Sequence, residues 1–405
     1  MKRPVQFSQV RDQKQNGRLQ VFEAIRQAGR IARIDIAKQI GASPATVTAI
    51  AAELLGKGLI EEVVPEDHPV ETRRGRPRVA LKVRGEAHLI AGAKVARRTI
   101  STTIVDFEGN EVASHVAPLD QPSMDARTLA ETIRDALAQA CGKAGLSVSD
   151  ISGVGIGLAG LVDAQKRFVH WSPSLNRRSV AMGAILDECF GCPVFLDNDA
   201  NLVAKAEQLF GVGRGIPNFI VITLEHGVGM GIVIKNELYR GARGCGAEIG
   251  HTKVQLDGAL CQCGQRGCLE AYVGDYALLR EANIMSHDGP KSSLDALWQA
   301  AQNGDAVARA IFERARRMLA LGMANVINLF DPEMIILAGR RAAFDQLEAD
   351  KVIAQTVNYA IQIEGPRPQV LEHQWGDVMW AKGAAAYAIE GILEMKIRDL
   401  PVTAD

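Results

Sequence analysis

Four residues of the kinds that bind zinc lie within 18 positions of this chain: His251, Cys261, Cys263 and Cys268. Structural zinc prefers a closed tetrahedral shell of thiolate and imidazole ligands, and Gly264 and Gly267 supply turns that let this segment curl round one ion. Because the protein fills all four positions, none is left for an activated water. The pattern predicts one structural Zn²⁺ per chain; the alternative is three reduced cysteines in an ordinary loop.

Two glutamates flank this segment, residues 251–268, which we call the metal loop. Glu248 precedes its first ligand and Glu270 follows its last one. A bound metal would hold both carboxylates at fixed positions, where they can accept hydrogen bonds from a polyhydroxylated ligand. The predicted role of the metal is therefore architectural.

The charge of the chain is unevenly divided. The total is −1, but residues 1–84 carry 16 Lys and Arg against 9 Asp and Glu, whereas the remaining 321 residues carry 30 against 38. A small basic unit ahead of a larger acidic body is typical of a protein with a nucleic-acid-binding head.

The composition is otherwise that of an ordinary soluble globular protein of two or three domains, with 47% hydrophobic and 23% charged residues. No apolar run approaches the length of a membrane-spanning helix, and the polar residues 1–18 lack the apolar core of a signal peptide. The other cysteines show no disulfide framework, and for the pair Cys189 and Cys192 a helix end is a simpler interpretation than redox chemistry. We expect a cytoplasmic protein with no membrane contact.

The basic unit carries the pattern of a helix-turn-helix. Apolar residues at helical spacing predict helices over 18–28 and 34–40. Ser43 and Pro44 then provide an N-cap and a first helical position for a third helix, whose residues 44–55 would be the recognition helix. The small polar residues near its start are candidates to contact DNA: Ser43, Thr46 and Thr48.

A predicted wing favours DNA binding over a plain three-helix cap. Residues 58–63 fit a first wing strand, 65–71 an acidic tip and 73–83 a return strand. Four arginines of the return strand are candidates to contact a groove or phosphates: Arg73, Arg74, Arg76 and Arg78. The alternative for such a run is a solvated linker.

The pattern changes from residue 88 onward. Strands are predicted over 89–95, 99–109, 110–118, 151–163 and 193–199, helices over 124–143, 179–190 and 200–210, and a second set of two strands over 218–241. A later helix over 305–330 carries an apolar stripe that is either core or a dimer face, and core is the simpler expectation. Two such lobes resemble the actin-like ATPase or hexokinase fold, which has a ligand cleft between its lobes.

The residues around the metal loop also resemble a family signature. Glu-x-Gly-His at 248–251 and Cys-x-Cys-Gly-x-x-Gly-Cys-x-Glu at 261–270 are similar to the signature of the ROK family, which joins bacterial sugar kinases and sugar-responsive transcriptional repressors on one fold. The resemblance implies an α/β fold: an actin-like ATPase (ribonuclease H-like) two-lobe body with a zinc-binding loop, preceded by a winged helix-turn-helix domain. The expected domains are 1–84 for DNA binding, 85–200 for the first lobe, completed by the C-terminal helix 379–396, and 201–378 for the second lobe with the zinc loop and an oligomerisation surface.

The chain departs from the pattern that the resemblance implies for ATP binding. The first-lobe motif Asp-x-Gly-Gly-Thr falls on residues 94–98, which read Lys-Val-Ala-Arg-Arg. The second-lobe Gly-Thr falls on Glu225 and His226, and half of the Gly-Gly beside the adenine is lost at Gly339 and Arg340. Because a kinase needs glycine-rich turns to bring backbone amides to the phosphates, and because Glu225 would repel them, we expect no ATP and no enzyme activity.

The sugar half of the family pattern is matched better. The family's Asn-Asp-Ala-Asn falls on residues 198–201, and without a phosphoryl donor Asp199 can still accept a hydrogen bond from a sugar hydroxyl. One ring nitrogen of His251 would bind zinc while the other lies near a hydroxyl. The implied sugar-binding set is Gly160, Asn198, Asp199, Glu248, His251 and Glu270.

One segment differs from the family's Ser-Pro-Asn-Leu. Ser174 replaces the sugar-binding Asn, and Arg177 and Arg178 follow it. This difference is compatible with another sugar, with a sugar phosphate whose charge the arginines neutralise, or with a surface loop that has no ligand role.

Together these patterns predict a sugar-responsive transcriptional regulator, a repressor of carbohydrate-metabolism genes. Its expected partners are a double-stranded DNA operator, a sugar or sugar phosphate effector, and further copies of itself in a homodimer or tetramer. Ligand binding would change the spacing of two recognition helices that meet major grooves about 34 Å apart. Two alternatives stay open: an ATP-dependent sugar kinase with a fused head, and a regulator controlled by a protein partner.

Overall fold

The computed structural model of the protein describes residues 6–63, 79–285, 293–339, 345–373 and 378–399, with side chains from residue 15 onward. The chain forms two compact units. Unit 1 comprises Met1–Leu158, Pro173–Leu196 and Ala384–Asp405, and unit 2 comprises Ala159–Ser172 and Asp197–Gly383. The predicted head and most of the predicted first lobe thus fall in unit 1, and the division into three domains stays a prediction.

The described helices are α1 Gln6–Ala28, α2 Arg33–Ile40, α3 Pro44–Gly56, α4 Ala126–Lys143, α5 Met182–Cys189, α6 Asp199–Leu209, α7 Glu270–Val273, α8 Asp275–Met285, α9 Leu294–Gln302, α10 Ala306–Phe330, α11 Ala349–Tyr359 and α12 Met379–Arg398. The described strands are β1 Ile31–Ala32, β2 Ile60–Val63, β3 Ala80–Val83, β4 Leu89–Val95, β5 Thr99–Val105, β6 Glu111–Pro118, β7 Ile151–Leu158, β8 Leu161–Asp163, β9 Phe168–Trp171, β10 Val180–Ala181, β11 Val194–Asn198, β12 Phe219–Leu224, β13 Val228–Ile234, β14 Glu237–Tyr239, β15 Met334–Gly339 and β16 Gln369–His373. None of these helices is both long and apolar enough to span a bilayer.

The head of unit 1 contains α1 to α3 and a small sheet in the order β1-β3-β2. Helix α3 buries Val47, Ile50 and Leu54, which lie at helical spacing on its inner face. Burying each such side chain contributes about 1.5–3 kcal/mol. Helix α1 begins at Gln6, twelve residues before the predicted start, and the sequence pattern missed these residues because only Phe7 and Val10 are apolar within 6–17.

The rest of unit 1 is built on a mixed sheet in the order β11-β7-β4-β5-β6. Strand β4 pairs antiparallel with β5 and parallel with β7. A Cβ on Gly155 of β7 would lie 1.8 Å from the carbonyl oxygen of Ala384, so the backbone of α12 packs directly on this strand. Only glycine allows that approach.

A buried aromatic contact joins the head to this sheet. The ring of Phe22 on α1 lies 5.5 Å from that of Phe107, and both side chains are fully buried. The backbone N–H of Phe107 donates to the oxygen of Gly85 at 2.9 Å, directly after the last head strand. The ring of His88 lies 5.1 Å from Phe107. The head therefore packs against the first lobe and is not only tethered to it.

Unit 2 is built on a sheet in the order β14-β13-β12-β15-β16, in which β12 is antiparallel to β13 and parallel to β15. Four residues of the α10 stripe are buried in its core, which confirms the simpler expectation: Ile311, Ala315, Leu319 and Met323. The third strand of the second set, β14, was not predicted. It follows a tight turn at Lys235 and Asn236, whose φ values of 53° and 65° match the twist of a hairpin.

Candidate functional site

The four predicted metal ligands lie together in unit 2. Their ligand atoms are all within 4.8 Å of one another. The sulfurs of Cys263 and Cys268 are 3.7 Å apart, and Nδ1 of His251 is 3.7 Å from the sulfur of Cys261. A tetrahedral ion with Zn–S bonds near 2.3 Å separates its ligands by roughly 3.8 Å. These residues could therefore hold one four-coordinate metal ion.

Close turns build the metal loop. Gly264 and Gly267 have φ values of 88° and 76°, which confirms the predicted turns. A Cβ on Gly267 would lie 1.8 Å from the oxygen of Gln255, so a larger residue has no room there. Cys268 is fully buried, whereas Cys263 is exposed.

Two opposing influences act on the pKa of the Cys268 thiol. Burial raises the pKa of its thiol to about 11, while Nζ of Lys253 lies 2.9 Å from the sulfur and favours the thiolate. Because the thiolate is the ligand form, a bound metal ion would act in the same direction as Lys253.

Two predicted sugar-binding residues begin helix α6. Asn198 caps this helix, because its Oδ1 accepts hydrogen bonds from the backbone N–H groups of Ala200 at 2.9 Å and Asn201 at 3.4 Å. Its Nδ2 donates to the oxygen of Gly160 at 2.7 Å. Asp199 is the first residue of α6, where the helix dipole favours a carboxylate. Asn198 therefore fixes Gly160 relative to Asp199.

Gly160 itself makes a close backbone approach. Its φ is 115°, and a Cβ there would lie 2.3 Å from the oxygen of Trp171. The position therefore requires glycine for the turn between β7 and β8, whatever its role toward a ligand.

Glu248 belongs to an acidic cluster with Asp199 and Glu270. Burial raises the pKa of Glu248 to about 7, and the carboxylates of Asp199 and Glu270 act in the same direction. His251 opposes them, with its Nε2 4.0 Å from Oε2 of Glu248. Four of the six predicted sugar-binding residues are thus neighbours. Such a group of carboxyl groups can accept hydrogen bonds from several hydroxyls, and Glu248 in its protonated form can also donate one.

Glu270 is held from two sides. Its Oε1 accepts a hydrogen bond from the hydroxyl of Tyr276 at 3.2 Å, and its Oε2 accepts one from the backbone N–H of Val228 at 3.3 Å. A Cβ on Gly227 would lie 2.5 Å from the same Oε2. The carboxylate therefore packs against the hairpin between β12 and β13.

Three residues that the sequence analysis missed support this cluster. The hydroxyl of Tyr276 lies 3.6 Å from the sulfur of Cys261, so this residue joins the metal loop to Glu270. Nε of Arg240 donates to Oδ2 of Asp197 at 2.7 Å. The position of Asp197 beside the Asn-Asp-Ala-Asn motif is a sequence signal for a supporting role; for Tyr276 and Arg240 the sequence offers none.

The DNA-binding candidates that the structure describes lie at the exposed start of α3. Oγ of Ser43 accepts a hydrogen bond from the backbone N–H of Thr46 at 3.0 Å, which confirms the predicted N-cap. The hydroxyl of Thr48 donates to the oxygen of Pro44 at 2.7 Å. Contact of these residues with DNA stays a prediction. Arg73, Arg74, Arg76 and Arg78 lie outside the described residues.

The structure describes two of the residues that depart from the expected ATP motifs, Lys94 and Glu225. Lys94 is buried on β4, with 6% of its surface exposed. The backbone N–H of Glu225 donates to the oxygen of Gly227 at 3.0 Å, which closes the hairpin between β12 and β13. Arg340 lies outside the described residues.

Comparison with known proteins connects this site to a family. The sequence model of the ROK family matches residues 91–390. The xylose repressor of Caldicellulosiruptor bescii is 30% identical to this chain, over 86% of it and 92% of the repressor. The DNA-binding transcriptional dual regulator NagC of Escherichia coli is 29% identical, over 85% of this chain and 84% of its own. A glucokinase of Streptomyces coelicolor is 32% identical, over 75% of this chain and 98% of its own.

Solved structures show the same division. A ROK family transcriptional regulator, described as a homologue of the Escherichia coli MLC protein, aligns with a TM-score of 0.77 and 25% identity over 95% of this chain and 99% of its own. A ROK family glucokinase of Streptomyces griseus, solved with glucose and AMPPNP, aligns with a TM-score of 0.63 and 33% identity over 75% of this chain and 100% of its own. The predicted fold class is confirmed, and the chain belongs to the ROK family.

Proposed function

We propose that the protein is a DNA-binding transcriptional repressor of carbohydrate-metabolism genes. A sugar or sugar phosphate bound at the acidic cluster would weaken its hold on operator DNA. The observation that carries this proposal is the cluster of Asp199, Glu248 and Glu270 beside His251, in a chain that also folds a helix-turn-helix head. Relatives named as xylose and N-acetylglucosamine repressors support the class of ligand.

The cluster is suited to hydroxyl groups. Carboxylate oxygens accept hydrogen bonds from several hydroxyls at once, and hydrogen bonds to charged acceptors are the stronger kind. Asp199 would accept the bond from the hydroxyl that a kinase phosphorylates, while Glu248 and Glu270 would contact others. Gly160 and Asn198 complete the proposed site, and the side chain of Asn198 holds the backbone of Gly160 in place.

Zinc is the metal that the ligand set favours. Three cysteine sulfurs and one imidazole form a closed, soft, four-coordinate shell, which is the usual composition of a structural zinc site. The residues that would hold it are His251, Cys261, Cys263 and Cys268. When bound, zinc would supply rigidity and no catalysis, and the protein's own Tyr276 would pass that rigidity to Glu270.

The head would read the operator with helix α3. Thr46 and Thr48 are exposed at the end of this helix that a helix-turn-helix directs into the major groove, and the wing arginines would contact phosphates or the minor groove. Two heads of a dimer would meet half-sites about 34 Å apart or a multiple of this distance. The packing of Phe22 on Phe107 would carry any displacement of the first lobe to the head.

The test uses the full chain and DNA fragments selected from a random pool for binding to it. Operator affinity is measured with and without xylose, N-acetylglucosamine, glucose and their phosphates. We expect one of these ligands to weaken DNA binding by roughly 5- to 150-fold, the usual range of allosteric coupling. Unchanged DNA affinity with every ligand, together with no thermal stabilisation by any of them, would reject the sugar effector and favour a protein partner.

A sugar kinase is the second candidate, because glucokinases of the family are 32–33% identical over three quarters of the chain. Lys94 stands where the family's first-lobe motif has Asp, and Glu225 stands where its second-lobe motif has Gly, so we expect no phosphoryl transfer. Incubation with magnesium ATP and the same sugars checks this. Turnover near the 1–100 s⁻¹ that kinases typically reach would overturn the repressor-only assignment.

A further inference from the structure

Asp197 is a buried carboxylate at the end of strand β11. Its side chain is 0% exposed. Its Oδ1 accepts hydrogen bonds from the backbone N–H of Asn198 at 2.7 Å and from Nδ2 of Asn201 at 2.9 Å, and its Oδ2 accepts one from Nε of Arg240 at 2.7 Å. Asp197 therefore holds the two asparagines that bracket Asp199 in the proposed ligand site.

The charge that balances Asp197 comes from a distant part of the chain. Arg240 is 43 positions away in sequence, and its side chain is largely buried in the pair, with 22% exposed. A buried carboxylate is tolerated only when a cation and hydrogen bonds compensate it, so the two segments that carry these residues are held in one relative position.

Arg240 is also the first residue of the segment that leads to Glu248. The oxygen of Arg240 accepts a hydrogen bond from the backbone N–H of Gly246 at 2.9 Å, which closes the segment 240–246 into a compact turn. Gly241 and Gly244 have φ values of 72° within it. A Cβ on Gly246 would lie 3.1 Å from the oxygen of Arg240, so the turn is tightly packed at its base.

We propose that Arg240 is a positioning residue of the ligand site. Its ion pair with Asp197 fixes the start of the segment that carries Glu248 relative to Asn198 and Asp199. Arg240 sets ligand affinity through the distance between the carboxylates of Glu248 and Asp199, and it does not contact the ligand. This inference rests on the proposed function for the identity of the ligand, but the positioning itself is measurable without one.

The variants separate positioning from stability. Arg240→Lys keeps the positive charge but loses the planar guanidinium whose Nε–H meets Asp197. The single change Arg240→Gln would leave the buried carboxylate of Asp197 without its cation and could unfold the protein. The double variant Asp197→Asn with Arg240→Gln removes both charges and avoids this penalty. The matched control is Arg316→Gln, which breaks the partly buried pair between Arg316 and Glu348 in the same unit.

The first readout is amide hydrogen exchange of the metal-loaded protein without sugar. We expect faster exchange in residues 241–250 for Arg240→Lys and for the double variant, and unchanged exchange there for Arg316→Gln. The second readout is sugar affinity by calorimetry, which should fall about tenfold for Arg240→Lys, as expected for a lost charge-assisted geometry, and stay the same for the control.

The two proposals fail separately. Exchange in residues 241–250 that is the same in Arg240→Lys and in the wild type would overturn the positioning role, whatever the sugar result. Faster exchange with a wild type that binds no sugar would uphold the positioning role and reject the proposed function. Equal loss of sugar affinity in Arg240→Lys and Arg316→Gln would also overturn the positioning role, because a general loss of stability would then explain both.

Discussion

The metal loop and the helix-turn-helix head reach their structures by different physical means. The head is held by a core, in which Val47 and Leu54 of helix α3 are fully buried. The metal loop has little regular secondary structure and only isolated bridges, such as that between Lys253 and Cys268. Its order depends on turns at Gly264 and Gly267 and, we propose, on the ion. Removal of the metal should therefore affect the metal loop, whereas truncation of a core side chain in α3 should affect the head.

The largest expected effect is that of Cys268→Ser. This change removes a fully buried predicted ligand and leaves an incomplete shell, so metal content should fall from about one ion per chain to near zero. The metal loop should also lose order, because the binding energy of structural zinc contributes to folding. Elemental analysis measures the loss, and hydrogen exchange should rise across residues 251–270.

The matched control for that change is Cys141→Ser, which alters an equally buried cysteine on α4, outside the metal loop. It should keep the metal. Operator binding without sugar should survive in both variants, because the head has its own core. Equal metal content in Cys268→Ser and the wild type would contradict the assigned ligand set.

Leu54→Ala should affect the opposite region. The side chain is fully buried on α3, and leucine-to-alanine changes at such positions destabilise by about 2–5 kcal/mol. Operator binding should weaken strongly, while metal content and sugar binding stay unchanged. Leu55→Ala, at the half-buried neighbouring position, is the control. A loss of metal in Leu54→Ala would show that the two regions are not independent.

Arg76→Ala tests the predicted wing with a smaller effect. If Arg76 contacts one phosphate, its loss should weaken DNA binding a few-fold and reduce the slope of log affinity against log salt by about 0.9. Thermal unfolding should not change. The exposed Arg398 on α12 provides the control Arg398→Ala. An unchanged salt slope for Arg76→Ala would favour a solvated linker over a wing that contacts DNA.

The smallest effect concerns pH at the junction of head and lobe. Burial lowers the pKa of His88, and nearby Lys396 lowers it further, so the folded protein favours the neutral imidazole. The neutral state of His88 therefore contributes fully to the free energy of unfolding above the ordinary pKa near 6.5. This contribution is lost as the pH falls through the lower pKa that His88 has in the folded protein. Thermal unfolding should show this acid loss in the wild type and less of it in His88→Asn. The same acid loss in both proteins would contradict the assignment to His88.

The sequence predicted well those parts that local patterns determine. Helix α3 was placed correctly because Ser43 and Pro44 mark its start and Val47, Ile50 and Leu54 share one face. The cluster of His251, Cys261, Cys263 and Cys268 was predicted because these four residues lie close together in sequence. Helix α1 was predicted too short, since no apolar periodicity marks residues 6–17.

The supporting contacts of the site were beyond sequence reasoning. Arg240 and Asp197 meet across 43 positions, and Tyr276 on α8 reaches Cys261 of the metal loop. No spacing in the sequence indicates either contact, because each depends on how whole elements pack. The raised pKa of Glu248 likewise comes from burial and from neighbours that only the fold brings close.

The central claim is that ligand binding at the acidic cluster and DNA binding by the head oppose each other in one chain. Calorimetric titration of the protein with its sugar, once with the protein free and once saturated with operator, tests this most directly. Because coupling between two sites is reciprocal, sugar affinity should fall on DNA binding by the same factor by which the sugar weakens the operator complex. Equal sugar affinities for free and DNA-bound protein would contradict the claim.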